Sequence, residues 1–424
     1  MPVVMPVTLP PAMAEPFPPE GLPLEEARHR VLSSLQPLAG LETVTLLAGL
    51  DRVAAVAVRA SAAVPGFAAA ILDGYAVSDE LPPAVGRQWS VVGRSAPGLP
   101  CLERLQRDQA IRILTGAPLP PGAVRVVAQE LVRREAELIQ LIAEAGPARW
   151  IRPADEEGAL GDLLLPAGHR LGPADLGRLA GCGVERLEVV KRPRLGLLVS
   201  GDELVAPGCQ RAFGQIWESN GTLLGALLLR LGYPVAVTRW EPDEPRRLGQ
   251  ALDDLASISD VVVSTGGVSA GDSDWIRPLL AERGRVDFWK LFLRPGRPFA
   301  FGHLGAAVPL FGLPGNPVAA AITALELLWP ALQHLEGAEP EVPLRLRVTL
   351  ADRCERRPGR PELARARLEV DGEGLPLARL EGSQASSRIG SLQGADLLLE
   401  IPAAAATLEP GIQLWAQLLR RSLF

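Results

Sequence analysis

Leu24, Ala27, Val31 and Leu35 recur at three- and four-residue intervals in LPLEEARHRVLSSLQPLAG, which predicts a helix over residues 22–40. After it, apolar and polar positions alternate in short runs such as RQWSVVGRS, AIRILTG and AELIQLIAE, punctuated by Gly and Pro. That pattern predicts an irregular β-rich domain over 41–154. Residues 171–182, LGPADLGRLAGC, read as a short helix capped near Gly181. From residue 193 the period changes. Apolar strands at 195–199, 234–239, 260–264 and 308–313 alternate with helices. Ser219 and Asn220 cap the first of these helices, and Asp243-Glu244-Pro245 opens the next. Two more follow over 275–282 and 318–335. This alternation, sustained for about 145 residues, predicts a doubly wound parallel sheet with helices on both faces and ligands at the strands' carboxyl ends. The remainder, 342–424, returns to short strands (PLRLRVTLAD, RARLEV, ADLLLEIP, IQLWAQLL) and predicts a small β domain or barrel.

A chain of 424 residues exceeds one ordinary core, so two to four domains are expected. The first twenty residues, rich in Pro and without a basic n-region, read as a flexible tail rather than a signal peptide. Arg, Glu, Gly or Pro interrupts every apolar run before the roughly 18–20 residues of a membrane span. A net charge of −6 without basic clusters argues against nucleic acid as partner. The four cysteines lie far apart with no CxxC spacing, as free thiols of a cytoplasmic protein would. The four histidines form no zinc pattern. Among the basic residues only Lys191 and Lys290 are Lys.

Candidate chemistry gathers at the strand ends. STGGVSAGDSDW (264–275) follows a strand and precedes a helix. Backbone N–H groups of Ser264, Thr265, Gly266, Gly267, Ser269 and Gly271, with a positive helix end, would form an anion nest. A tight turn without a ligand is the other reading. SGDE (200–203) and GLPGNP (312–317) would lie along the same sheet edge, with Asn316 as an alternative helix cap. FWKLFLRPGRPFAFG concentrates positive charge at Lys290, Arg294 and Arg297. Glu203, Asp243, Asp272 and Asp274 would repel a phosphate unless a cation intervened, and Mg²⁺ is the natural bridge. N-capping is the competing role for Asp243 and Asp274. Asp73 and Thr115-Gly116 read as turn formers in the β-rich region.

Taken together, DGYAV, TGAPLPPGA, SGDEL, Ser219-Asn220, STGGVSAGDSDW, FWKLFLRPGRPFAFG and GLPGNPVAA resemble, in order and spacing, the molybdopterin molybdenumtransferases (molybdenum insertases), including the gephyrin C-terminal type. The resemblance covers about residues 20–424. It implies an elongated homodimer of four-domain subunits: a linear helical domain (21–40 with 155–192), a β-rich domain (41–154), a doubly wound molybdopterin-binding domain (193–341) and a C-terminal β-barrel (342–424). It implies Mg²⁺-dependent insertion of molybdate into adenylylated molybdopterin with release of AMP, in the cytoplasm, with contact to a molybdopterin adenylyltransferase. By motif, Asp73 and Thr115 would reach across a shared dimer cleft, and Glu203, Asp243 and Asp274 would be the active-site carboxylates and metal ligands. Lys290 and Arg294 match the family's cationic pair, and Pro314, Gly315, Asn316 and Pro317 its PGNP turn. Arg365 and Ser383 match oxyanion-recognition positions, sharing molybdate with Lys290 and Arg294. The chain departs from the family at Phe67-Ala68-Ala69-Ala70, at Glu157 where Asp is usual, at GAVRVV (122–127), and at Arg294 where Lys is usual. A molybdopterin adenylyltransferase, or a cofactor-binding scaffold with little catalysis, remain alternatives.

Overall fold

The computed structural model describes residues 21–268, 274–341 and 343–419. The described residues form two compact units, one within 21–42, 51–53 and 189–419, the other 43–50 and 54–188. The four domains expected from sequence are a finer division than this one.

In the first unit, strands β1 (Leu195–Ser200), β2 (Val235–Glu241), β3 (Val261–Thr265), β4 (Gly284–Trp289), β5 (Ala300–Leu304) and β6 (Val308–Leu313) form one sheet, ordered β2-β1-β3-β6-β5-β4. The first four in that order are parallel, as the alternating pattern predicts. β5 runs antiparallel to both of its neighbours, β6 and β4, which corrects the all-parallel expectation. Only residues 305–307 separate β5 from β6, and a parallel partner would need a full crossover. The strand period of two divides the sheet's apolar residues between two cores. Leu197, Val199, Val263 and Leu313 face the helices Asn220–Arg230 and Pro317–Thr323. Leu198, Val262 and Leu310 face the helices Pro245–Ile258 and Ile276–Arg283.

The helix Leu24–Ser34 buries Ala27 and Val31 in the first of these cores, beside Leu328 and Leu332. It is shorter than expected because Pro37 disfavours helical backbone just before it. The expected helix 318–335 is real but interrupted: α-helical from Pro317 to Thr323, π-helical over Ala324–Leu328, and α-helical again over Trp329–Leu335. Pro330 has no N–H for the Glu326 carbonyl four residues earlier, and Arg28 Nε donates to that carbonyl instead, at 3.1 Å. By length and hydropathy the whole segment could cross a membrane, contrary to the sequence expectation, yet 83% of its most apolar window is buried inside the protein.

The same turn carries a buried acid. Glu326 is 2% exposed, with Oε2 2.6 Å from Arg28 Nη2. Burial pushes its carboxyl up to about 7 against the pull of Arg28, and Glu25 and Glu400 add to the rise. The folded chain therefore keeps this proton between pH 4.5 and about 7 while the unfolded chain loses it, so this group's contribution to stability falls as pH rises through that window. The full shift caps the effect at about 3 kcal/mol. Glu326→Gln should flatten that part of the pH dependence, measured by denaturant unfolding at pH 5, 6 and 7.5; an unchanged slope would assign it elsewhere.

The C-terminal region of this unit closes a five-stranded barrel of β7 (Arg345–Leu350), β8 (Glu362–Val370), β9 (Pro376–Leu380), β10 (Leu397–Ile401) and β11 (Gln413–Leu418), ordered β7-β9-β8-β10-β11. Val348, Leu350, Ala364, Ala366, Ala378 and Leu399 fill it.

In the second unit, six strands are ordered Arg125–Ala128, Gly74–Val77, Gln109–Ile113, Gln88–Ser95, Leu138–Leu141, Val132–Glu135. One face packs around Tyr75, Trp89 and Ile139, and the other around Ala76, Ile113 and Val126. Of the positions where the chain departs from the family pattern, Ala69-Ala70 pair with Ile151-Arg152, and Glu157 accepts a hydrogen bond from Arg178 at 3.1 Å. The expected short helix runs Pro173–Gly181.

Candidate active site

β1, β3 and β6 end side by side at Ser200, Thr265 and Leu313, and the loops that follow them line a cleft of about 950 Å³. Gly266 and Gly267 have φ of +94° and +64°. A Cβ on Gly266 would come within 2.8 Å of the Ser200 carbonyl, so only glycine lets these loops meet. Asn220 ties the edge together. Its Nδ2 donates to Thr265 Oγ1 and to the Gly315 carbonyl, both at 2.8 Å, while Thr265 Oγ1 donates to the Pro314 carbonyl at 3.3 Å. Contrary to the expectation from sequence, neither Ser219 nor Asn220 caps the helix Asn220–Arg230 through its side chain. Glu218 takes that role, its Oε1 accepting the Gly221 N–H at 2.6 Å. Nor does Asn316 cap its own helix. Its Nδ2 donates to Ser386 Oγ of the barrel at 3.0 Å, and the Val318 N–H donates to the Ser386 carbonyl at 3.0 Å.

Glu203, Asp243 and Asp274 all line this cleft. Asp243 and Asp274 do not occupy the N-cap positions of the helices that follow, which are Glu244 and Trp275. Burial raises the Asp243 pKa, the Ser200 hydroxyl opposes the rise, and Asp202 and Glu203 reinforce it. Asp243 Oδ1 is buried without a well-formed hydrogen bond, and its backbone N–H donates to Asp202 Oδ1 at 2.9 Å. A buried carboxylate oxygen short of a well-formed donor and crowded by like charges fits a cation. Among the described residues no three His, Cys, Asp or Glu side chains form a metal cage, so phosphate oxygens or water would have to complete such a site.

The basic side of the cleft is Arg294, Arg297 and Arg360. Arg360 Nη1 donates to the Leu293 carbonyl at 3.0 Å. Burial, then the charges of Arg297 and Arg294, depress its pKa. Arg294 Nη1 lies 3.6 Å from Glu362 Oε2. Arg360 was missed in the sequence, where PGRPELARAR pointed to Arg365. Arg365 is fully buried, donating from Nε to Ser391 Oγ at 3.1 Å and from Nη2 to the Ala385 carbonyl at 3.2 Å. It props the loop whose Gln384, Ala385 and Ser386 line the cleft. Ser383 Oγ accepts the Ala385 N–H at 3.4 Å and is not among the cleft-lining residues. Lys290, at φ +69°, places Nζ 3.6 Å from the centre of the Trp289 ring and also does not line the cleft.

Pro314, Gly315, Asn316 and Pro317 line it as expected, whereas Ser264 is buried within β3. Ser269, Gly271 and Asp272 lie outside the described residues. In the second unit, Asp73 Oδ1 accepts the Thr115 N–H at 2.8 Å and the Thr115 hydroxyl at 2.7 Å, which holds its pKa low.

These features define an α/β protein with a charged cleft at the carboxyl ends of its parallel strands. Residues 22–183 match the MoeA N-terminal region (domain I and II), 196–334 a probable molybdopterin binding domain, and 347–418 the MoeA C-terminal region (domain IV). The chain is 35% identical over 318 residues to a molybdopterin molybdenumtransferase of Haemophilus influenzae, spanning 74% of this chain and 78% of that one. It is 31% identical over 400 residues to molybdopterin molybdenumtransferase 2 of Mycobacterium tuberculosis, spanning 92% and 98%. A molybdopterin biosynthesis MoeA protein from Pyrococcus horikoshii matches in structure with a TM-score of 0.80 at 25% identity, over 94% of this chain and all of that one. The chain belongs to the molybdopterin molybdenumtransferase (MoeA) family.

Proposed function

We propose that the protein inserts molybdate into adenylylated molybdopterin with Mg²⁺-dependent release of AMP. One observation carries this reading: Arg294, Arg297 and Arg360 share a single cleft with Glu203, Asp243 and Asp274. Such a cleft can hold two anions if a cation serves one of them. The substrate's dithiolene sulfurs are the nucleophiles, so no catalytic Ser, Cys or His is needed. The chain's own residues position and neutralise. Arginines receive the oxyanion. The glycine turn at 266–267 lets the phosphate approach the backbone. Asp243, with Glu203 or Asp274 nearby and with phosphate oxygens or water completing the shell, would hold Mg²⁺, which when bound offsets charge on the departing phosphate. These tasks are orientation and electrostatic stabilisation.

Asp73 and Thr115 belong to the same reading as residues contributed across a homodimer cleft, in a cytoplasmic enzyme supplied by a molybdopterin adenylyltransferase. The test is AMP release from adenylylated molybdopterin with and without molybdate and Mg²⁺. Adenylylation of molybdopterin from ATP, or tight cofactor binding without insertion, would replace the proposal. Mixing inactive Asp73→Ala and Asp243→Ala chains tests the shared cleft. Random re-pairing should restore about a quarter of wild-type activity if the two residues serve one site from different chains. No recovery after verified exchange would put both in one chain.

A further inference from the structure

We propose that Trp217 is a stacking platform for the flat heteroaromatic ring of the substrate, adenine or pterin; this rests on the function proposed above. Among the described residues Trp217 is the one aromatic side chain lining the cleft, and it is 48% exposed. Its indole is not loose. Nε1 donates to the Cys209 carbonyl at 2.9 Å, and the Arg211 guanidinium lies over the ring, 4.0 Å from its centre.

The backbone on either side is also fixed. Ile216 and Trp217 pair in parallel with Leu204 and Val205, and the Ile216 N–H donates to the Glu203 carbonyl at 2.9 Å. The Glu218 N–H donates to the Val205 carbonyl at 2.8 Å, and the Glu218 carboxylate caps the helix Asn220–Arg230. A large indole tied at Nε1, covered by Arg211 and still nearly half exposed beside a polar cleft loses little entropy on binding a ring. Arg211 beneath it strengthens the stack through the cation–π interaction. Both candidate rings present the same π-face chemistry, and the platform alone does not discriminate between them.

The experiment measures binding of AMP, molybdopterin and ribose 5-phosphate to the full chain and to its Trp217→Leu and Trp217→Phe variants. Trp217→Leu should weaken the ring-bearing ligand by about 10- to 100-fold. Ribose 5-phosphate binding should be unchanged, and Trp217→Phe should recover most of the loss. A loss confined to AMP assigns adenine to the platform, and a loss confined to molybdopterin assigns the pterin. Equal losses for AMP and ribose 5-phosphate would reduce Trp217 to a structural support and overturn the proposal. So would wild-type affinity in Trp217→Leu, or a wild-type chain that binds neither ring. Molybdate-dependent AMP release undiminished in Trp217→Leu would sink the platform and leave the proposed function standing. Trp217-dependent ring binding without any such release would do the reverse.

Discussion

Asp243→Asn should lower molybdate-dependent AMP release by about 10²–10³-fold, comparable to removing one preorganised electrostatic group from an active site. The substitution is nearly isosteric and keeps the backbone N–H that donates to Asp202. What it removes is the negative charge on a buried carboxylate whose Oδ1 has no well-formed hydrogen bond and whose nearest help is the Ser200 hydroxyl. Burial, Asp202 and Glu203 all disfavour that charge. On the proposed reading a cation makes it tolerable, and the variant should therefore need more Mg²⁺ to reach half its maximal rate. Rate against Mg²⁺ concentration is the measurement. An unchanged rate and an unchanged Mg²⁺ midpoint would remove Asp243 from the cation site.

Arg360→Ala should raise the KM for molybdate by about 10- to 100-fold, as expected for loss of a charge-assisted hydrogen bond. The arginine is tethered to the Leu293 carbonyl and crowded by Arg294 and Arg297. An oxyanion would relieve that crowding. Arg365→Ala is the contrast. Arg365 is fully enclosed and holds Ser391 and the Ala385 carbonyl, so its loss should cost about 2–4 kcal/mol of stability. Molybdate saturation curves and denaturant unfolding on both variants separate the roles. An unchanged KM in Arg360→Ala would move the oxyanion elsewhere in the cleft.

The contrast between these two arginines marks where the sequence stopped being legible. Both occur in PGRPELARAR. Residues Glu362 to Ala366 of β8 are all buried, so no alternation of apolar and polar positions distinguishes an arginine under the loop from one in the cleft. The parallel strands were legible because each is a short apolar run closed by a turn, with Val308–Leu313 found at its expected bounds. β4 and β5 only overlap the two ends of FWKLFLRPGRPFAFG (288–302), whose charge and prolines outweighed the strand signal. The π-helical turn was hidden because an apolar helix reads the same whether or not one carbonyl loses its partner to Pro330. Asp202 and Glu218 were passed over for a similar reason. Their work is to accept backbone N–H groups, and a lone acid in a loop carries no periodic signal.

The bonds from Ser386 to Asn316 and Val318 bear on modularity. The helix beginning at Pro317 takes a backbone acceptor for its first turn from the barrel, not from its own chain neighbourhood. A doubly wound sheet excised at residue 341 would keep its strands and glycine turn but leave that N–H to water. Its PGNP loop would also lose an anchor. The barrel is thus a splint for the neighbouring loop, and the boundary that sequence draws near residue 341 separates two architectures that share one working part.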